Sequence, residues 1–202
     1  MNSVTFNEQS IQPSKIICIG RNYVEHIQEL GNETPDEMVV FLKPNSAISA
    51  DLHSEGDQVH YETELCFLIE NNQFKGVGIG FDLTKRDLQS KLKSKGLPWE
   101  RAKAFDRSVV FSQFVELPNG VESMSFHLKI NDQIIQVGDV DLMMYKPSQI
   151  LSEVSQFMSL SDGDIIMTGT PKGVGLLKQG DHFSADLLHH GQKLLSQAWL
   201  VK

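Results

Sequence analysis

The segment Val59-His-Tyr-Glu-Thr-Glu-Leu-Cys-Phe-Leu-Ile69 sets two carboxylates inside an apolar, β-prone run. On one strand, Glu62 and Glu64 are two residues apart and point to the same face. Most of their neighbours are apolar, so the strand is at least half buried. Two carboxylates side by side in such a place repel each other and lose hydration. A divalent cation relieves both costs. The plain alternative is a strand with one wet face, on which Glu62, Glu64 and Glu70 are solvated. A third carboxylate weighs against it. Gly76-Val-Gly-Ile-Gly-Phe-Asp82 reads as the next strand and ends on Asp82. If the two strands are neighbours, Asp82 approaches the glutamate pair. A set of carboxylates without Cys or His suits a hard ion, Mg²⁺ or Mn²⁺, with Ca²⁺ as a substitute. His60 lies on the same strand face but two residues beyond Glu62, and stays outside the set.

The rest of the chain is read around that pair. Lys15 to Gly20, Met38 to Lys43 (stopped by Pro44) and Asp164 to Thr168 are short apolar strands. Val59 to Glu70 and Phe74 to Phe81 are strands in sequence. Ser123 to Ile130 and Gln133 to Val137 form a hairpin around Asn131-Asp132, and His182 to Leu188 and Lys193 to Val201 a second around His190-Gly191. Helices are expected over Asn22 to Leu30, Thr84 to Lys95 and Ser148 to Met158. In the second, Leu88 and Leu92 share a face while Lys85, Lys91, Lys93 and Lys95 are solvated. In the third, Ile150, Leu151, Val154, Phe157 and Met158 face the core. Strands outnumber helices and adjacent strands are hairpin-linked. The expected fold is α+β, mainly β and mainly antiparallel. No linker or repeat divides the 202 residues, so residues 1–202 are read as one domain.

Charge and composition remove whole classes of function. The chain carries 18 Lys+Arg against 26 Asp+Glu, a formal net charge of −8. Without a basic cluster it is a poor match for nucleic-acid backbone. No apolar run approaches the roughly 18 residues that span a bilayer, and Met1 to Lys15 reads neither as a signal peptide nor as a transit peptide. Cys18 and Cys66 both sit in apolar strands and are expected as buried thiols rather than a disulfide, which fits a reducing, cytoplasmic setting.

Two further features bear on chemistry. His26 and Glu29 are three apart in a helical stretch and can touch. A carboxylate beside a histidine holds its tautomer and raises its basicity, which is what activating a water requires. The same spacing also makes an ordinary surface ion pair, and Glu25 is an alternative partner. The loop Thr168-Gly-Thr-Pro-Lys-Gly-Val-Gly175 lacks the phosphate-binding pattern. Its N–H groups and hydroxyls either bind a carboxylate or close a tight turn.

The ordered set Gly20-Arg-Asn-Tyr-x-x-His26, Phe41-Leu-Lys-Pro-x-Ser-Ala47, His60-Tyr-Glu-x-Glu-Leu65, Gly80-Phe-Asp-Leu-Thr-x-Arg-Asp87, Gly96-Leu-Pro-Trp-x-x-Ala-Lys103 and Thr168 to Gly175 resembles the fumarylacetoacetate hydrolase superfamily. The match is to its short, single-domain acylpyruvase and oxaloacetate decarboxylase branch, from about Lys15 to Ala185. The resemblance implies a mixed β-sandwich roll with a few short helices, a homodimer, and Mg²⁺ or Mn²⁺ on Glu62, Glu64 and Asp82. It implies a water-activating dyad of His26 and Glu29, an active-site Lys103, and a pocket lined by Arg21, Lys43, Gln89 and Thr170.

The implied activity is metal-dependent C–C hydrolysis of small 2-oxo acids of the acylpyruvate type, with oxaloacetate decarboxylation or tautomerisation at the same site. Isomerases, decarboxylases and hydratases of aromatic-compound degradation are the neighbouring alternative. A non-catalytic metal-binding homodimer is the alternative from another class. Lys85 departs from the small residue common in relatives. Gly31 to Met38 is short and polar, as a lid would be, and Gly56 to His60 is brief.

Overall fold

The computed structural model describes residues 1–54 and 58–202. The expectation about Gly56 to His60 therefore falls partly outside the described residues.

Two sheets face each other. The larger has eight strands. Seven follow one another in the order Val39–Pro44, Lys15–Gly20, Ile165–Met167, Thr63–Glu70, Gln73–Asp82, Val109–Phe111 and Ile48–Ser49. The eighth, Val115–Glu116, also pairs with Gln73–Asp82. Most neighbours are antiparallel. The exceptions are Ile165–Met167 beside Lys15–Gly20 and Val109–Phe111 beside Ile48–Ser49. The smaller sheet has the order Gln133–Asp139, Met124–Ile130, His182–His189, Gln192–Leu200. Both expected hairpins are present. Asn131 and Asp132 have φ of 50° and 67°, and His190 and Gly191 49° and 74°, the left-handed pair that a two-residue hairpin turn demands.

Alternation along Thr63–Glu70 divides the core. Leu65 and Phe67, with Val77, Ile79 and Phe81, face the smaller sheet and pack on Phe126, Phe183, Leu187 and Trp199. Farther along the same face, Ile17, Ile19 and Ile166 are covered by Ile150 and Val154 of the Pro147–Phe157 helix. Cys66 and Leu68 face the other way, with Cys18, Phe111 and Met167. Both cysteines are buried free thiols, and burial pushes each thiol's pKa up. Among the described residues no helix is long and apolar enough to cross a membrane.

Several expectations need correction. The run from Val59 to Glu70 is two strands. Val59–Tyr61 joins a three-stranded sheet with Thr84–Lys85 and Gly175–Leu176, and Thr63–Glu70 enters the large sheet. The break falls on Glu62, where the chain leaves one sheet for the other. The second helix spans Arg86–Ser94, because Thr84 and Lys85 are claimed by strand pairing. Two of the four lysines expected there are not simply solvated. Lys85 Nζ lies 4.7 Å over the Phe105 ring, and Lys93 Nζ donates to Asn32 Oδ1 at 2.7 Å. Phe157 ends the last helix 60% exposed and does not face the core, while Met158 just beyond it packs on the Ile150 and Val154 cluster.

Candidate active site

The three carboxylates meet because of strand register. Thr63 pairs with Phe81 and Glu64 with Gly80, and Asp82 N–H donates to Glu62 O at 2.8 Å across the break. Glu62 and Asp82 are thus opposite each other, and Glu64 is diagonal to Asp82 on the same face. Gly80 leaves the room: a Cβ there would lie 2.6 Å from Cys66 Sγ and 2.9 Å from the Phe111 ring. The three carboxylates are 6%, 1% and 1% exposed, which excludes the wet-face alternative for Glu62 and Glu64. Their ligand oxygens lie within 4.8 Å of one another. That span is about twice the 2.0–2.6 Å metal–oxygen distance of a hard divalent ion.

Three cations surround them. Lys103, at the end of the short Glu100–Lys103 helix, spends all three N–H donors in the site. They go to Glu62 Oε2 at 2.8 Å, Asp82 Oδ2 at 2.7 Å and Thr84 Oγ1 at 2.7 Å. Arg86 is paired with Glu62 Oε1 and donates to Gln89 Oε1 at 2.9 Å. Lys43 is fully buried with Nζ 2.9 Å from Asp82 Oδ1, and it donates to Lys103 O. The Lys43 contact with Asp82 is one of charge only: Asp82 Oδ1 has no hydrogen-bond donor.

The balance of charge differs from one carboxylate to the next. Burial would raise the pKa of Glu62, but the Lys103 and Arg86 charges hold it well below the usual carboxylate range. Glu64 is pushed well above that range, by burial and then by the facing charges of Asp82 and Glu62. One N–H, from Gly169 at 2.7 Å, is its hydrogen bond. Burial would lower Lys103, but Asp82 and Glu62 push it up, so it remains an ammonium ion. Three buried carboxylates with oxygens this close, one of them a glutamate destabilised by the other two and held by a single N–H, form an all-oxygen donor set of the kind a hard cation takes. Glu62, Glu64 and Asp82 fit a divalent cation on these grounds.

The dyad stands beside this set. The chain leaves Lys15–Gly20 through Arg21, whose φ is 56°, and enters the Val24–Glu29 helix. Asn22, fully buried, donates to Tyr145 O at 3.0 Å and Thr168 O at 2.8 Å, and fixes the start of that turn. His26 is 6% exposed, and its Nδ1 lies 3.1 Å from Glu29 Oε2. Glu29 Oε1 accepts from Gly173 N–H at 2.9 Å. The glycine-rich loop therefore does bind carboxylates, and they are the protein's own: Gly169 holds Glu64 and Gly173 holds Glu29. Gly169 has φ of 93°, and a Cβ would lie 2.9 Å from Asn22 Cβ.

A cavity of about 40 Å³ joins the two groups, walled by Arg21, His26, Phe41, Glu62, Arg86, Gln89, Lys93, Trp99 and Lys103 among others. Arg21 and Gln89 stand on this wall. Lys43 and Thr170 do not: Lys43 lies beneath Asp82, and Thr170 is a buried acceptor for Gln136 Nε2 at 2.9 Å. Sequence reasoning assigned no role to Arg86, Thr84 or Gln136. Arg86 and Thr84 stood within a quoted motif two to four residues after Asp82, a spacing that returns them to the site. Gln136 carried no such signal. A larger apolar concavity of about 1020 Å³ runs along Val39–Pro44 and Gly96–Ala104, and shares Phe41, Trp99 and Lys103 with the small cavity.

The fold and this constellation define a family. The pattern described as Fumarylacetoacetate (FAA) hydrolase, C-terminal, matches residues 15–195, and the chain belongs to that family. It is 36% identical over 197 residues to the oxaloacetate tautomerase YcgM of Escherichia coli (strain K12), covering 88% of this chain and 90% of that protein. It is 35% identical over 195 residues to the mitochondrial oxaloacetate tautomerase FAHD1 of Bos taurus, covering 87% of each. The crystal structure of fumarylpyruvate hydrolase from Pseudomonas aeruginosa in complex with Mn²⁺ and pyruvate superposes with a TM-score of 0.87 at 28% identity. It covers 99% of this chain and 95% of that one.

Proposed function

We propose that this chain is a divalent-metal-dependent enzyme of small 2-oxo acids, and that its reaction is the keto–enol tautomerisation of oxaloacetate. The observation that carries this reading is the buried Glu62, Glu64 and Asp82 set with the Lys103 ammonium ion hydrogen-bonded at its edge. The tautomerase relatives support the choice of substrate, and the Mn²⁺ and pyruvate complex of the hydrolase supports the ligand class.

Glu62, Glu64 and Asp82 would hold Mg²⁺ or Mn²⁺. The ion would supply Lewis-acid polarisation of a 2-oxo group. The chain's own residues do the rest. Lys103 stays protonated and places fixed positive charge where an enolate oxygen develops. Arg86, anchored by Glu62 and Gln89, adds a second positive group on the cavity wall for a substrate carboxylate. His26 has Nδ1 engaged by Glu29, which leaves Nε2 to take the C3 proton and deliver it to the 2-oxo oxygen, so that keto and enol forms interconvert with no net gain or loss of protons.

A second reading rests on one specific observation. Glu29 is tied to both His26 and Gly173 N–H, an arrangement suited to orienting a base for water activation. It supports hydrolysis of acylpyruvates to pyruvate and a carboxylic acid at the same site. The homodimer implied by the resemblance and the cytoplasmic setting read from the buried thiols belong to the same proposal.

Purified protein would be assayed with oxaloacetate, followed by loss of enol absorbance, and with acetylpyruvate, followed by pyruvate release, in Mg²⁺, Mn²⁺ and EDTA. Metal-dependent enol loss is the expected result. Pyruvate from acetylpyruvate alone would transfer the assignment to the hydrolase. Full activity in EDTA would refute the metal-dependent mechanism.

A further inference from the structure

Strand Gln133–Asp139 has its polarity reversed. Ile134, Ile135 and Val137 are 58%, 37% and 47% exposed, whereas Gln136 between them is 1% exposed. A buried glutamine in a strand whose apolar residues face water needs a reason, because its amide must be desolvated and fully partnered. The backbone shows how it is turned inward. Leu128 pairs with Gln136 but Lys129 pairs with Ile134, so Ile135 is an extra residue, a bulge that re-aims the side chain after it.

The Gln136 amide ties the middle of the 168–175 loop to Thr63; the ends of that loop are fixed separately, by Thr168 Oγ1 donating to Leu65 O at 2.9 Å and by Gly175 pairing with Tyr61. Gln136 Oε1 accepts from Thr63 N–H at 3.2 Å, at the strand break between Glu62 and Glu64. Its Nε2 donates to Thr170 Oγ1 and Pro171 O, both at 2.9 Å, and to Lys172 O at 3.4 Å. Those three residues are the stretch of the glycine loop between Gly169, which holds Glu64, and Gly173, which holds Glu29.

We infer that Gln136 is a positioning residue: it clamps the 168–175 loop to the carboxylate strand, so that the Gly169 and Gly173 N–H groups set Glu64 and the His26–Glu29 dyad together. The inference rests on the reading of Glu64 and Glu29 as working groups. Gln136 touches none of the cavity walls named above. It acts through the loop, as hydrogen-bonded supports behind ligand residues do, and such supports are worth about 10–100-fold in affinity or turnover.

Two variants test it. Gln136→Met keeps the volume and removes both halves of the clamp. Gln136→Glu keeps the acceptor for Thr63 N–H and loses the donors to the loop. Amide hydrogen exchange resolved over residues 168–175 is the first readout, Mn²⁺ affinity the second, and steady-state kinetics with oxaloacetate the third. The clamp predicts exchange at least about tenfold faster in that loop in both variants, with the Met124–Ile130 and His182–His189 strands unchanged. It predicts Mn²⁺ binding weaker by about tenfold, and kcat lower by about tenfold or more with KM within about threefold. Wild-type protection of the loop in both variants would overturn the inference. So would faster exchange spread through the whole chain, which would make Gln136 an ordinary core residue. Wild-type protein inactive on oxaloacetate would sink the proposed reaction, while exchange and Mn²⁺ affinity would still decide the clamp.

Discussion

Asp164, just before the Ile165–Met167 strand, and the pair Glu64 and Asp82, on neighbouring strands of the same sheet, are all buried carboxylates, and they are treated in opposite ways. Asp164 is saturated. It accepts from Ser14 Oγ at 2.6 Å, Lys15 N–H at 3.1 Å and Ser161 N–H at 2.8 Å, and it is paired with the Lys15 ammonium. These donors, led by Lys15 and Ser14, outweigh the opposing effect of burial and hold its pKa below the ordinary value. Asp82 keeps an oxygen with no donor, and Glu64 is pushed up by burial and by two neighbouring carboxylates. The first arrangement ties the Ser14–Lys15 entry to the strand beside it and needs nothing more. In the second, Lys103, Arg86 and Lys43 reach Glu62 and Asp82, while Glu64 has one N–H donor and faces the other two carboxylates. A fold that satisfies a buried carboxylate fully at Asp164 leaves Glu64 destabilised by its neighbours, a cost that the proposed cation would relieve.

The contrast can be broken most sharply at Glu64. Glu64→Ala is expected to abolish metal-dependent turnover, a loss of about a thousandfold or more, because one of three anionic ligands is gone. Glu64→Gln should leave the metal-free protein within about 1 kcal/mol of wild type in urea unfolding, because an amide oxygen still accepts from Gly169 N–H. A large loss of metal-free stability would make Glu64 structural, as Asp164 is.

The dyad comes next. His26→Ala is expected to lower oxaloacetate tautomerisation, and any acylpyruvate hydrolysis, by about a hundredfold or more, since both put His26 in the proton transfer, and to lower metal-dependent oxaloacetate decarboxylation less, since that needs neither a base at C3 nor an activated water. Equal collapse of decarboxylation would mean that His26 shapes the cavity instead.

Asp164→Asn tests the other side of the comparison. Its amide oxygen can keep the place of Oδ1 for Ser14 and Lys15 N–H, but the NH2 in the place of Oδ2 deprives Ser161 N–H of its acceptor and the Lys15 ammonium of its counter-charge, which should cost about 2–4 kcal/mol of stability at pH 7, with Mn²⁺ affinity unchanged. The pH dependence has a definite sign. A carboxyl whose folded pKa is depressed contributes stability fully above its unfolded pKa, about 4, and that stability is lost as pH falls through the lower folded value. Urea midpoints measured from pH 7 downward should therefore fall more steeply below about pH 4 in wild type than in Asp164→Asn. Parallel curves would contradict the assignment.

The smallest effect is reserved for an exposed pair. Lys75 Nζ lies 3.1 Å from Glu116 Oε1 with both side chains largely in solvent. Lys75→Ala should change stability by less than about 1 kcal/mol, and less still at high salt.

Much of this was legible in the residues. Two glutamates at spacing two in an apolar run, followed by a glycine-alternating strand ending on Asp82, define a carboxylate cluster once the strands pair. The hairpin turns at Asn131-Asp132 and His190-Gly191 are local chemistry and need no tertiary information. The strand break at Glu62 was not legible, because composition is continuous across it and only pairing to Thr84–Lys85 and Gly175–Leu176 separates the halves. The role of the glycine loop was open for a related reason: whether its N–H groups meet a carboxylate depends on what the sheet brings opposite. Gln136 was invisible, since an Ile-Ile-Gln-Val sequence gives no sign that a bulge will bury the one polar residue and expose the rest.

The central claim is that Glu62, Glu64 and Asp82 hold one divalent cation. Calorimetric titration of Mn²⁺ into wild type, Glu64→Ala and Asp164→Asn tests it most directly. The account predicts one ion per chain in wild type and in Asp164→Asn, and binding lost in Glu64→Ala. Equal Mn²⁺ binding by wild type and Glu64→Ala would contradict it.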